Sequence, residues 1–345
     1  MKCNRYALDE LATIKYGKNQ KKVLSENGNI PIYGTGGLMG YATTALYDKP
    51  SVLVGRKGTI GKVKYVEQPF WTVDTLFYTI VNTNIVLPKY LYYVMSLIDL
   101  NIYNEGTTIP SLRTETLNRL EFDIPSLREQ EMILSCLNPI DEKIELNNAI
   151  NNNLADQAQA IYQQYFVAEA NPDWPLGHLS DLIDIKYGKD HKKLADGTYP
   201  VYGSGGIMRY VERPLYEKES VLIPRKGTLN NVIYANQPFW SVDTMFYTEM
   251  KQDNVAKFVY HYVKSKDLAS MNAGSAVPSM TTAILNALEL PLPSIEALKH
   301  FEVSVAPMYE MMQKNEEESH KLAKLRDALL PKLMSGEIDV SDLDL

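Results

Sequence analysis

The amino-acid sequence is written twice, and that constrains its fold more than any other feature. IKYGKNQKK at 14–22 returns as IKYGKDHKK at 185–193, and PIYGTGGLMGY at 31–41 returns as PVYGSGGIMRY at 200–210. The offset falls from 171 to 169 because the first copy's loop around Asn27, Gly28 and Asn29 is two residues longer. VLVGRKGTIGKVKYVEQPFWTVDTLFYT at 52–79 matches VLIPRKGTLNNVIYANQPFWSVDTMFYT at 221–248, and YNEGTTIPSLRTETLNRLEFDIPSL at 103–127 matches MNAGSAVPSMTTAILNALELPLPSI at 271–295. A period near 170 is far longer than the 20 to 50 residues of a solenoid repeat, so each copy is a domain in its own right.

Each copy divides again. About 125 residues rich in Val, Tyr, Thr and Gly, punctuated by turn signals such as ENGN and DKP, read as mainly strands. A helical stretch follows. Ser126 with Glu129 forms a capping box, and Asn138 before Pro139 reads as a second helix start. The expectation is a short helix over about 127–137 and a longer one from 139 to about 166.

Along the longer helix, Leu137, Ile140, Ile144, Asn147, Asn151, Leu154, Ala158, Ile161 and Tyr165 alternate steps of three and four, a heptad seam. The second copy repeats it from Val305 through Met308, Met312, Asn315, Ser319, Leu322, Arg326 and Leu329 to Leu333, with Pro307 in the place of Pro139. Two such seams should bury each other in antiparallel pairing, relating the halves by a pseudo-twofold axis. Asn147, Asn151, Asn315 and Ser319 fall at the centre of the seams. They read either as a device fixing register or as a wet, loosely packed middle.

The expected fold is therefore α+β: two pseudo-twofold related, mainly-β or mixed globular domains at 1–125 and 173–293, separated by two long antiparallel coiled-coil-like helices. Those helical spacers occupy 126–172 and 294–335, with a tail at 336–345.

Charge sorts by these segments. The net of −7 and a pI near 5.4 argue against a phosphate-binding partner, but totals hide distribution. The first globular segment holds 14 Lys plus Arg against 11 Asp plus Glu, and the second 13 against 13; the helical segments hold 2 against 7 and 6 against 11. The acid lies on the helices, whose solvated faces suit protein partners or solubility, and the globular parts are neutral to basic. Cys3 and Cys136 form no ligand pair or disulfide framework, which suits a reducing compartment. With no signal peptide and no apolar stretch of about 18 residues, the expectation is a cytoplasmic protein without a membrane partner.

Little in the sequence reads as catalytic. The five histidines, at 178, 191, 261, 300 and 320, lack metal-ligand spacing, so no metal site is expected. GTGG at 34–37 and GSGG at 203–206 lack the endings of phosphate loops and read as turns. Gln68-Pro69-Phe70 and Asn236-Gln237-Pro238-Phe239 approach the Asn-Pro-Pro-aromatic motif of adenine methyltransferases, but both lack its first proline. Core aromatics before a strand account for them better, and Trp71 and Trp240 read as core too. Asp74 and Asp243 read as structural, capping or pairing with a neighbour.

What remains is a concentration of basic and polar residues in short loops, in the same places twice. Lys18, Asn19, Gln20, Lys21 and Lys22 follow a Tyr-Gly turn, as do Lys189, Asp190, His191, Lys192 and Lys193. Arg56, Lys57 and Thr59 in one copy, and Arg225, Lys226 and Thr228 in the other, stand between strand-like runs. Taken singly, each loop is a solvated hairpin end. Appearing twice, beside glycine turns that let a backbone approach a ligand, they point toward nucleic acid, since Lys, Asn and Gln reach phosphates and base edges. Thr35, Lys62, Ser204, Arg209, Asn230 and Asn231 complete the candidate DNA-binding set.

The duplicated layout, the two RKGT loops, REQEMI after the first Pro-Ser and LRDALLPKLMSGEI near the C-terminus closely resemble the specificity (S) subunit of type I restriction-modification systems, over essentially the whole chain. The resemblance implies that each globular domain is a target-recognition domain reading one half of a bipartite site in double-stranded DNA. It implies that the helices space the half-sites and dock two modification (methyltransferase) subunits, with restriction (nuclease) subunits as further members of such complexes. S-adenosylmethionine would be bound, and adenine methylated, by the methyltransferase subunits, leaving this chain non-catalytic. A helix of 28 residues from Pro139 to Phe166 would be about 42 Å long at about 1.5 Å per residue, near one turn of B-DNA. Heptads inserted in both helices should lengthen the gap between half-sites. The near identity of the two copies departs from the family, whose recognition domains diverge freely, and implies an interrupted, nearly palindromic target. Rival readings are a stand-alone DNA-binding or scaffold protein without a methyltransferase, and an autonomous adenine methyltransferase.

Overall fold

The computed structural model describes residues 2–272 and 278–340. The stretch 273–277 of the second copy's repeat and the last five residues of the expected tail lie outside the described residues. The chain divides into two compact units, residues 1–146 with 317–345, and residues 147–316.

In the first unit, β1 (Asn4–Ala7) leads through the single-turn α1 (Leu8–Leu11) to β2 (Ala12–Tyr16). Next come β3 (Ile30–Gly34), β4 (Gly37–Ala42), β5 (Ser51–Gly55), β6 (Val63–Val66), β7 (Trp71–Thr72) and β8 (Leu76–Val81). Helices α2 (Pro88–Ser96) and α3 (Thr114–Asn118) and strand β9 (Glu121–Ile124) complete the globular part before α4 (Leu127–Gln163). Strands β2-β8-β5-β6 form one antiparallel sheet; β4-β3-β7 form a second, in which β3 and β7 are parallel; β1 pairs with β9. Every residue of β5 is buried, so its run SVLVG carries no alternation, as a strand covered on both faces should not.

The second unit repeats this order. Strands β10 (Leu176–His178), β11 (Ile183–Tyr187), β12 (Asp196–Gly203), β13 (Gly206–Val211), β14 (Ser220–Pro224), β15 (Ile233–Ala235), β16 (Trp240–Ser241), β17 (Met245–Met250) and β18 (Glu289–Pro291) form sheets β11-β17-β14-β15, β13-β12-β16 and β10-β18. Helices α5 (Leu179–Leu182), α6 (Ala256–Lys264) and α7 (Thr282–Asn286) stand where α1, α2 and α3 stand in the first, and α8 (Ile295–Ser335) closes the chain. A buried serine–threonine clasp recurs as well. Ser51 Oγ donates to the carbonyl of Thr79 at 2.7 Å, and Ser220 Oγ to that of Thr248 at 2.8 Å, which satisfies hydroxyls that would be costly to bury unpaired.

The expected break at Asn138-Pro139 is not there. Ser126 and Glu129 do form the capping box, Ser126 N and Oγ donating to Glu129 Oε2 at 2.9 and 2.8 Å, but α4 then runs unbroken through Pro139, as α8 does through Pro307. Both prolines are exposed. Each removes one backbone bond on the solvent side, where water replaces it, while buried neighbours such as Leu137 and Val305 hold the other face. The helix ends in a single wider turn, Gln164–Ala168.

Within each unit the two long helices pair antiparallel through the expected seam. In the first, Arg326 Nη1 donates to Asp141 Oδ1 at 3.0 Å and Lys143 lies 3.2 Å from Glu318; Leu137, Leu330 and Leu333 join the core under the sheets. In the second, the polar centre is closed by hydrogen bonds. Asn315 Nδ2 donates to Asn151 Oδ1 at 2.8 Å, Asn151 Nδ2 to the Met312 carbonyl at 3.0 Å, and Asn147 Nδ2 to the Asn315 carbonyl at 3.4 Å. Asn147 is fully buried and Asn315 nearly so, while Asn151 and Ser319 are half-buried, so the middle is packed at the first two positions and reaches solvent at the others. Among the described residues no helix is long and apolar enough to cross a membrane.

Candidate nucleic-acid interface

In each unit, backbone hydrogen bonds draw the two basic loops to the same ends of the sheets. Gly17 can lie against the backbone because it has no side chain: a Cβ there would sit 2.0 Å from the Val73 carbonyl oxygen. Lys18 N then donates to the Thr72 carbonyl at 2.8 Å, and Trp71 Nε1 returns a bond to the Lys18 carbonyl at 2.8 Å. An Asx turn closes the loop, Lys21 N donating to Asn19 Oδ1. Val73 N donates to the Tyr33 carbonyl, which brings the end of β3 and the Thr35-Gly36 turn alongside.

The second basic loop arrives from β5. Arg56 N donates to the Thr75 carbonyl at 2.9 Å and its Nη1 to the Asp74 carbonyl at 2.8 Å, while the guanidinium lies 5.0 Å from the centre of the Tyr16 ring. This geometry holds one edge of the guanidinium against the protein, a cation over an aromatic face. Gly58, at φ +87°, makes the turn that a side chain would strain. Lys18, Asn19, Lys21, Lys22, Lys57, Thr59 and Lys62 are exposed; Gln20, Thr35 and Arg56 are half-buried.

The second unit builds the same site. A Cβ on Gly188 would sit 2.0 Å from the Val242 carbonyl oxygen. Lys189 N donates to the Ser241 carbonyl and Trp240 Nε1 to the Lys189 carbonyl, and Arg225 Nη1 donates to the Asp243 carbonyl at 3.0 Å beneath the Tyr187 ring. Asp190 closes its loop by accepting from Lys192 N at 3.0 Å, a bond that also holds its carboxyl below the usual range. Lys189, Asp190, Lys192, Lys193, Lys226, Thr228 and Asn230 are exposed, and His191, Ser204, Arg209, Arg225 and Asn231 half-buried.

Three of the differing positions are already engaged. Arg209 Nη2 donates to Asp196 Oδ1 at 2.7 Å and to the Leu194 carbonyl at 2.9 Å; Asn231 Nδ2 donates to the Ser204 carbonyl at 2.8 Å; Asn230 Nδ2 donates to Asp267 Oδ1 at 3.0 Å. The first unit has Gly40, Lys62 and Gly61 at these places, so the second loop cluster is more tightly cross-braced.

Asp74 and Asp243 act through their carbonyls, on the arginines, rather than by capping. Phe70 and Phe239 are fully buried and Trp240 nearly so, whereas Trp71 is only half-buried. Sequence reasoning missed the segment 104–112. Asn104 Oδ1 accepts from Gly106 N and Ser111 N at 2.9 Å, Gly58 N donates to the Pro110 carbonyl, and Leu112 N to the Arg56 carbonyl. It lies directly beside the Arg56-Lys57 loop, with Ile109 exposed.

The fold and this site define a duplicated α+β protein with one loop cluster of basic and polar side chains per copy, joined by paired helices. Residues 2–156 and 171–314 match the type I restriction modification DNA specificity domain, and the chain belongs to that family. It is 23% identical to the MjaIX specificity subunit of a type I restriction enzyme from Methanocaldococcus jannaschii, over 86% of this chain and 80% of that one. A putative type I specificity subunit of Mycoplasma genitalium is also 23% identical, over 94% and 92% of the two chains. The crystal structure of a type I restriction-modification S subunit from M. genitalium shares the fold, with a TM-score of 0.58 at 20% identity over 96% of both chains.

Proposed function

We propose that this chain is the DNA-recognition subunit of a type I restriction-modification complex, each unit reading one half of a bipartite target. The observation that supports this most directly is the double construction of the loop cluster: the same lysines, arginines and glycine turns converge by the same backbone bonds in both units. Exposed lysines on short, braced loops suit phosphate contact, and Gln20 is of the type that pairs with base edges; the amides of Asn19, Asn230 and Asn231 brace the loops that present them. Because the two clusters differ at few positions, the half-sites should be similar and the target nearly palindromic.

The chain itself is non-catalytic in this reading. The glycine pairs Gly36-Gly37 and Gly205-Gly206 stand at hairpin tips, where a Cβ would meet nothing within 4 Å, unlike a glycine turn that opens a helix around a cofactor phosphate. S-adenosylmethionine would be bound by two methyltransferase subunits docked on the helices, and those subunits would flip and methylate an adenine. Nuclease subunits would join the same assembly. Co-expression with a methyltransferase of the Asn-Pro-Pro-Phe type tests the assignment. The two should copurify, and methyl transfer should require both; transfer by the isolated chain would overturn it.

A further inference from the structure

The hairpin β3–β4 and its counterpart β12–β13 hold a feature that the basic loops do not explain. Leu38 and Met39 are 53% and 55% exposed, and Ile207 and Met208 49% and 60%. Neighbouring strand residues alternate between faces, so one of each pair would normally be covered. A β-bulge prevents it: Tyr33 pairs with Leu38 and Ile32 with Gly40, which leaves Met39 as the extra residue, and the second copy does the same at Met208. Bulges re-aim side chains. Met39 folds across Gly34, where a Cβ would meet its sulfur at 2.4 Å, and Met208 lies across Gly203 in the same way.

The hairpin is also thin. Beyond Tyr33 its tip is Gly34, Thr35, Gly36 and Gly37, and a Cβ on either of the last two would meet nothing within 4 Å. Two strands about 4.8 Å apart, stripped of side chains at the tip, make a ribbon that enters a DNA major groove about 12 Å wide. The RKGT loop flanks it, Gly58 lying beside Thr35 and Gly227 beside Ser204. An apolar pair projecting between lysines and arginines is poorly placed to bind another apolar protein surface. It is well placed for the one apolar group on a major-groove floor, the thymine C5-methyl.

We propose that the two glycine ribbons enter the major groove and that Leu38 with Met39, and Ile207 with Met208, determine specificity by packing on thymine methyls within each half-site. This rests on the DNA-reading function proposed above. Replacing thymine by deoxyuridine deletes the methyl and leaves pairing and the minor groove unchanged.

The test uses the full chain in its methyltransferase complex, with duplexes whose half-site thymines are replaced one at a time. The wild-type complex should lose about fourfold in affinity for each contacted methyl. Leu38→Ala with Met39→Ala should abolish that penalty in one half-site and leave it in the other, while non-specific binding and its salt dependence stay unchanged, which also certifies the fold of the variant. Half-sites without thymine, a wild-type complex indifferent to deoxyuridine, or an undiminished penalty in the variant would each overturn the proposal. Indifference with intact sequence specificity would point to a minor-groove wedge. Absence of any sequence-specific binding by the wild-type complex would instead overturn the function on which the proposal rests.

Discussion

The Tyr309 hydroxyl lies 2.9 Å from Nε2 of His261, tying the helix α8 to the helix α6 of the second unit. Gln159 Oε1 lies 2.8 Å from the other ring nitrogen, so the imidazole is bonded at both ends as the neutral tautomer with Nδ1–H donating. The residues 168 positions earlier are Asp141 and Tyr93, and there the Tyr93 hydroxyl donates to the carboxylate, which Lys89 and Arg326 also approach at 3.4 and 3.0 Å. One junction between globular part and helix is thus tied by neutral groups and the other by charges.

Burial, reinforced by Lys264, holds His261 down to about 3. Its unfolded value is near 6.5, so the unfolded chain takes up a proton first as pH falls. The stabilisation is complete above pH 6.5 and is lost progressively from there toward pH 3. Between pH 7 and pH 5 the wild-type protein should lose about 2 kcal/mol more than His261→Gln in urea denaturation. Parallel pH curves would contradict the neutral, buried imidazole.

Asn315 Nδ2 donates to Asn151 Oδ1 within the seam, so removing Asn315 takes the donor from that oxygen, while removing Asn151 takes the acceptor from the buried Asn315 amide. Asn315→Leu should cost about 1–3 kcal/mol, and Asn151→Leu with Asn315→Leu should recover most of it. If the hydrogen bond fixes register, the double variant should also show alternative pairings or self-association by native mass spectrometry. A single species indistinguishable from wild type would remove the register role.

Much of this hairpin was legible in the sequence. The seam residues from Leu137 to Tyr165 and from Val305 to Leu333 are buried or half-buried, since a heptad pattern records burial locally. Pro139 misled because a proline signals a helix start by its own geometry, whereas the exposure that lets a helix run through it is a tertiary property. Helix α2 was not anticipated because YLYYV has strand-forming composition; Pro88 at its first turn and packing on β5 and β6 decide otherwise. The basic loops could be found because they recur. The contribution of Asn104 to Leu112 could not, since its bonds to the Arg56 loop span about fifty residues and leave no local pattern.

Gly17 and Gly188 seat the first basic loop against the strand that follows it. Gly17→Ala should force the loop off the Val73 carbonyl, lowering stability by about 1–3 kcal/mol and weakening DNA binding beyond what stability alone explains. Thermal unfolding with binding measured well below the melting temperature separates the two. Unchanged binding would mean the loop is not part of the interface.

Lys57 and Lys226 are exposed at the tips of the braced turns. If each neutralises a phosphate, alanine at either should weaken the complex on specific and non-specific duplexes alike and reduce the slope of log K against log salt by about 1. Loss confined to one sequence would assign the lysine to a base edge.

The most direct test of the account is the adenine methylation pattern in cells holding this chain and its methyltransferase, compared with cells lacking the chain. Two similar loop clusters predict a chain-dependent, interrupted site whose halves are nearly the same sequence on opposite strands, with the residual differences following Gln20/His191, Asn19/Asp190, Gly40/Arg209 and Gly61-Lys62/Asn230-Asn231. Two unrelated half-sites, or methylation that persists unchanged without the chain, would contradict it.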